Sequence, residues 1–197
     1  MIKIFLETPR LLLRNFIAED ADNLYQLDAD LEVIRFTNLG IIKGGNPINT
    51  DCETIKTKTL PQWLSYYEKY DNYGLWAAIE KINNEFIGWF HFRPASDNLF
   101  YYNLGFYDSS EIELGYRLKT AKWNQGYATE GSQALICKGF SELDTQRVVS
   151  MALATHTASL RVMEKVGLKF VAKYFHPEIQ QEVIKYALNK SEFNATN

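Results

Sequence analysis

Cysteine is scarce in this sequence: Cys52 and Cys137 stand 85 positions apart and in no CxxC spacing. That excludes a disulfide framework and a cysteine-built metal site, and both side chains read as buried or incidental thiols. Long apolar runs are absent as well. Stretches such as Gly88–Phe90 and Val148–Ala154 fall far short of the ~18–20 residues that a membrane span requires. Met1 to Pro9 carries no long apolar run and no small-residue cleavage site, so it does not read as a signal peptide, and a cytoplasmic location is expected. No sign of charge dominates. The 24 acidic and 21 basic side chains leave a formal net charge of −3, which argues against a general nucleic-acid binder. His91 and His176 have no metal-ligand spacing and no HExxH or Cys/His cluster occurs, so no metal is expected. A GxSxG elbow, the mark of many serine hydrolases, is missing too.

What is there forms a core. The 197 residues are 46% hydrophobic and 14% aromatic, and a chain of this length buries roughly 70% of its unfolded surface. Arg10–Arg14 reads as a strand, followed by a helix from Glu19-Asp20 to about Asp28 with acidic residues in its first turn. Asn38–Thr50 reads as a loop rich in Gly, Asn and Pro. A second helix is expected over Asp51–Tyr70, kinked or divided by Pro61. Leu75–Glu80 and Phe86–Phe92 flank a hairpin turn in which asparagine supplies positive φ angles. Asp97–Ser110 is aromatic and irregular, in the manner of a loop packed by its own side chains or a substrate lid. Glu111–Leu118 alternates as a strand, Gly126–Leu143 has helical spacing, and Arg147–Leu153 is a nearly all-apolar strand. Thr157–Lys165 is a helix stopped by Gly167, and Leu168–Tyr174 and Gln181–Leu188 close the chain as strands. With no repeat or linker, this order implies one mixed α/β domain over residues 1–197.

The segment Leu114–Glu130 carries the chemistry. A strand runs through a glycine-containing turn directly into a helix, which aims unpaired N–H groups and the positive end of the helix dipole at one spot. Gly126 and Ala128 leave that spot open to close approach. A phosphate or pyrophosphate suits it, yet the turn has neither GxxxxGK[ST] nor GxGxxG, which points away from NTP hydrolysis and dinucleotide redox chemistry.

Gln125-Gly126-Tyr127-Ala128-Thr129-Glu130 resembles the acyl-CoA pyrophosphate loop of the GNAT N-acetyltransferases, particularly the branch of ribosomal-protein N-terminal acetyltransferases. Thr8–Arg14 with Glu19-Asp20 resembles the opening strand and helix of that branch. Glu113-Leu-Gly-Tyr116 resembles its central strand, and Thr157–Gly167 its last helix. The resemblance implies a central, mostly antiparallel, twisted sheet of about seven strands flanked by about four helices. It implies acetyl-CoA as co-substrate, contacted by Leu114, Tyr116, Leu118, Trp123, Asn124, Gln125, Gly126, Tyr127, Ala128, Thr129, His156 and Ser159. Trp123 stands where the family usually has Gln or Arg, and His156 where it usually has Asn.

Attack on a thioester asks for a neutral amine and a base. Glu111 and Glu113 lie two apart, on one face of an uninterrupted strand, and like charges so close raise one pKa. The resemblance favours Glu113 as base, with Glu111 left open. Gly115 would permit a bulge whose backbone N–H meets the oxyanion. Many family members protonate the thiolate with a tyrosine in the last helix, but that position is Met163. Ser159, one helical turn earlier, matches the serine of the ribosomal-protein branch, as a donor to the thiolate or as a pantetheine contact. The lysines and arginine at Arg117, Lys119 and Lys122 are expected to meet the CoA phosphates. The resemblance implies a primary amine as acceptor, either a protein N-terminus or a small amine. An acyl-CoA-binding protein without transfer activity is the alternative. The aromatic segment also suits packing against a second copy of the chain, as in a homodimer.

Overall fold

The computed structural model describes residues 2–36 and 51–195. The expected loop at Asn38–Thr50 lies outside the described residues. Strands β1 (Ile4–Glu7), β2 (Leu11–Asn15), β3 (Gly74–Glu80), β4 (Glu85–Pro94), β5 (Ile112–Leu118), β6 (Arg147–Leu153), β7 (Lys169–His176) and β8 (Gln181–Asn189) form an eight-stranded sheet in the order β1-β2-β3-β4-β5-β6-β8-β7. The pairs β1/β2, β2/β3, β6/β8 and β7/β8 are antiparallel. β5 and β6 run parallel through Ile112↔Val148 and Glu113↔Val149. The fold is the expected mixed α/β one, with one strand more. The extra strand is β1, four residues with exposed ends, too short to show a period in the sequence.

The chain forms two compact units, one of residues 1–91 with 116–131 and one of residues 92–115 with 132–197. In the first unit, Leu11 and Leu13 of β2 are fully buried, while Leu12 packs on the opposite side against a cluster that includes Phe16, Leu24, Leu27, Ile55, Leu60 and Trp89. Phe16 follows β2 and Trp89 belongs to β4, whereas Leu24 and Leu27 come from helix α1 (Ala21–Ala29), Val33 and Ile34 of the same cluster from the short α2 (Leu31–Ile34), and Ile55 and Leu60 from a helical stretch built of α3 (Cys52–Thr54), a π-helical turn (Ile55–Thr59) and α4 (Leu60–Lys69). The division by Pro61 takes the form of that wide turn. Pro61 sits in the first turn of α4, where a missing N–H costs least. Ahead of α1, Asp20 is buried and takes both Arg14 guanidinium nitrogens at 2.7 Å. Across β4 and β5, Gly88 (φ +142°) is where a Cβ would fall 2.1 Å from the Arg117 carbonyl oxygen, so only glycine allows that close approach. The β3–β4 hairpin turns at Asn84 with φ 56°, as the sequence implied.

The second unit holds most of α6 (Tyr127–Glu142), α7 (Thr157–Lys165), α8 (Lys190–Asn194) and α5 (Leu99–Asn103). α5 is a single helical turn inside the segment expected to be irregular. Asn98 caps it by accepting from the Tyr101 N–H.

Candidate active site

In the first unit, β5 ends at Leu118 and the chain makes a 3-10 turn over Thr120–Lys122 before α6 begins at Tyr127. Trp123 anchors this turn by donating its indole N–H to the Leu118 carbonyl at 2.8 Å. Gln125 donates to the Ala121 carbonyl at 2.7 Å. Asn124 and Gly126 both take positive φ, 58° and 83°, which bends the backbone sharply just ahead of the helix. A Cβ on Gly126 would touch the Arg10 guanidinium at 3.4 Å. Among the described residues other than its chain neighbours, Arg10 is the one side chain within 4 Å of that position, and the leading N–H groups of α6 have no acceptor within the helix.

Arg10 organises the underside of this turn. Its Nη1 donates to the Gln125 carbonyl at 2.9 Å, its Nε to Glu130 at 2.6 Å, and its guanidinium lies 4.3 Å from the Tyr127 ring centre. Thr8 adds a 2.6 Å bond to the same Glu130 carboxylate. Tyr127 is buried and donates to Glu80. Of the charges expected to meet CoA phosphates, Arg117 pairs with Asp28, Lys119 with Glu85, and Lys122 with both Glu80 and Glu85. No local sequence signal marks those partners, because they lie on other strands and helices.

In the second unit, Glu113 is buried and tightly bonded. Arg93 donates to its Oε2 through Nε at 3.0 Å and Nη2 at 2.9 Å. Asn98 and Tyr107 donate to its Oε1 at 3.1 and 2.9 Å. Burial, with Glu113 beside it, holds the Tyr107 phenol well above its ordinary range, and burial pushes Tyr101 up to about 12. Glu111 is buried as well, but it faces Lys185 at 2.7 Å, Arg147 at 3.1 Å and the Asp108 N–H at 2.9 Å. The two carboxylates therefore each face cations of their own. Glu111 ties the start of β5 to β6 and β8.

Ser159 and Met163 lie on the buried face of α7, as their four-residue spacing implies. His156 precedes the helix, and its carbonyl accepts from the Ser159 and Leu160 N–H groups at 3.0 and 3.2 Å. Its imidazole makes no capping bond. Leu114 is buried, and Tyr116 is half-buried in β5. The residues expected at the pyrophosphate, Trp123 through Thr129 with Leu118, share the first unit. Glu113, His156 and Ser159 share the second. Among the described residues, no group of three or more His, Cys, Asp or Glu is arranged to hold a metal, and no helix is long and apolar enough to cross a membrane.

Residues 10–169 match the acetyltransferase (GNAT) domain. The chain belongs to the GNAT acetyltransferase family. It is accordingly an enzyme that uses acetyl-CoA as co-substrate to acetylate an amine. This acetyltransferase is 27% identical over 195 residues to the FsC-acetyl coenzyme A-N(2)-transacetylase of Aspergillus fumigatus, covering 95% of this chain and 77% of that one. It is 24% identical to the uncharacterized N-acetyltransferase YnaD of Bacillus subtilis, over 82% of this chain and 81% of the relative. Among solved structures, a GNAT-family acetyltransferase from Bacillus anthracis shares the fold at a TM-score of 0.70, with 22% identity over 98% of this chain and 100% of the other. RimL, a ribosomal alpha-N-protein acetyltransferase in complex with coenzyme A, does so at a TM-score of 0.70, with 17% identity over 96% and 99% of the two chains. The acetyltransferase thus has the fold that the sequence motifs implied, while Arg10, Arg93, Asn98, Tyr107 and Lys185 enter through tertiary contacts alone.

Proposed function

We propose that the chain acts as one N-acetyltransferase domain of the ribosomal-protein branch, moving an acetyl group from acetyl-CoA to a primary amine, with a peptide N-terminus as the first candidate acceptor. The observation that carries this is the turn at Asn124–Gly126, with two positive φ angles directly before a 16-residue helix, a backbone shape suited to a pyrophosphate. Trp123, Asn124, Gln125, Gly126, Tyr127, Ala128 and Thr129 line it, with Leu114, Tyr116, Leu118 and His156 along the rest of the cofactor. In the reaction the amine nitrogen bonds to the thioester carbonyl carbon, the C–S bond breaks, and the electron pair leaves on sulfur. Glu113 takes the proton from the amine, a backbone N–H near Gly115 meets the oxyanion, and Ser159 donates to the departing thiolate. The likeness to RimL, an alpha-N-protein acetyltransferase, supports a peptide acceptor, and the likeness to the N(2)-transacetylase supports a small amine as the second reading.

A panel of peptides with free N-termini, amino acids and polyamines, each scored by thiol released from acetyl-CoA, tests the acceptor class. A peptide is expected to give the highest kcat/KM, and a small amine that outruns every peptide overturns the branch assignment. Glu113→Gln tests the base: turnover should fall by roughly 10²–10⁴ at neutral pH with acetyl-CoA affinity unchanged, and the deficit should shrink at high pH, where the amine loses its proton unaided.

A further inference from the structure

We propose that Tyr107 is a positioning residue for acetyl transfer: its hydroxyl turns from hydrogen-bond donor to acceptor as Glu113 takes the proton of the amine. The inference rests on the reading of Glu113 as the base and adds the group that lets it act as one. Four side-chain bonds converge on this carboxylate, two from Arg93 on Oε2 and one each from Asn98 and Tyr107 on Oε1. A carboxylate has about four lone-pair positions, so a proton can arrive only where one of these bonds changes.

The partners differ in what they can do then. The Arg93 guanidinium and the Asn98 amide nitrogen have hydrogens and no lone pair to offer, so a proton placed against either would lose a bond and face another hydrogen. The Tyr107 hydroxyl has both a proton and lone pairs. Rotation about its C–O bond reverses the contact, from phenol O–H donating to Oε1 into Oε1–H donating to the phenol oxygen. The proton that leaves the amine ends on Glu113, the phenol keeps its own, and no covalent bond to Tyr107 changes.

The surroundings hold the phenol to this role. Tyr107 is 5% exposed and meets Tyr101 edge to face at 5.6 Å. Lys185 lies 5.4 Å from its ring centre, and that ammonium is itself bonded to Glu111 and to the Phe106 carbonyl. Among the described residues, the charged and titratable groups around Glu113 include Arg93 from β4, Tyr101 from α5, Tyr107, His176 from β7, whose ring meets Tyr101 at 5.7 Å, and Glu111, two positions earlier in the chain, with its partners Lys185 from β8 and Arg147 from β6. Burial keeps the phenol protonated across the working range, so Tyr107 exchanges the direction of a hydrogen bond and does not become a phenolate.

The test is the pH dependence of kcat at saturating acetyl-CoA for the wild type, Tyr107→Phe and Glu113→Gln. Loss of one donor disfavours the ionised carboxylate, so the acid limb of Tyr107→Phe should move up by about one pH unit. Its plateau should fall roughly tenfold or more, with KM for acetyl-CoA unchanged. A role confined to packing moves neither limb nor plateau. If Tyr107→Phe does not fold, 3-fluorotyrosine at the same position supplies a more acidic donor of nearly the same shape, and the limb should then move down. An unmoved limb in the folded variant overturns the inference while leaving Glu113 as base. A wild-type rate in Glu113→Gln overturns Glu113 itself, which separates the two failures.

Discussion

At the residue scale the candidate site depends on atoms that the sequence motif names and on others it does not. Gly126 was legible, since a glycine before a helix invites close approach, and its φ of 83° adds a second demand. Asparagine tolerates that region far better than alanine or valine, so Gly126→Asn separates backbone strain from obstruction. Its melting temperature should stay near wild type while the acetyl-CoA dissociation constant rises at least about tenfold, or about 1.4 kcal/mol, by calorimetry. Unchanged affinity would place the pyrophosphate elsewhere. Glu113 was legible through its motif, but its partners were not: Arg93 and Asn98 lie 20 and 15 positions away in the chain, and no short pattern links them. The same holds for Arg10, which reaches Gln125 and Glu130 across 115 and 120 positions. The lysines near the motif show the mirror case. A positive side chain shows in the sequence, and the carboxylate that neutralises it does not.

At the scale of elements, periodicity located most of the helices and strands, and tertiary packing decided their details. Two glycines inside α6 look like poor helix formers, yet a Cβ on Gly131 would fall 2.3 Å from the Phe90 ring and one on Gly139 2.5 Å from the Phe92 ring. Gly131→Ala should therefore destabilise the fold by about 1–3 kcal/mol in urea titration despite its better helix propensity. Glu111 and Lys185 fasten the aromatic segment, whose Phe106 carbonyl also accepts from Lys185 at 2.9 Å. Lys185→Met leaves a buried carboxylate facing Arg147 alone of its two cations, and a loss of about 3–5 kcal/mol is expected. Glu111→Gln in the same background should restore part of it. His176 closes β7, buried and stacked on Phe100 at 4.5 Å, with its Nδ1 lacking a partner among the described residues. Burial lowers its pKa from 6.5, opposed by Glu178. Below pH 6.5 the unfolded chain therefore takes up a proton that the folded one resists, and stability falls as pH drops. Melting at pH 7.5 and 5.5 should show a smaller acid loss in His176→Leu than in the wild type, and equal losses would remove His176 from the acid response.

For the whole molecule, the missing features in the sequence narrowed the chemistry and the ordered motifs named the family, while the acceptor stayed out of reach because aromatic and polar walls suit many amines. Acetyl-CoA binds the folded chain and so should raise its melting temperature with concentration, by about 2.7 kcal/mol of added stability at a hundredfold excess over the dissociation constant. Binding alone, however, would fit an acyl-CoA carrier as well as an enzyme. The measurement that separates them is turnover: purified protein, acetyl-CoA and a pool of free-amine peptides and small amines, with thiol release followed in time and the acceptors read by mass spectrometry. One acetyl group gained on a primary amine for each thiol released, over many turnovers and lost in Glu113→Gln, is the expected result. Saturable acetyl-CoA binding with no thiol released above the uncatalysed rate across the pool would contradict it.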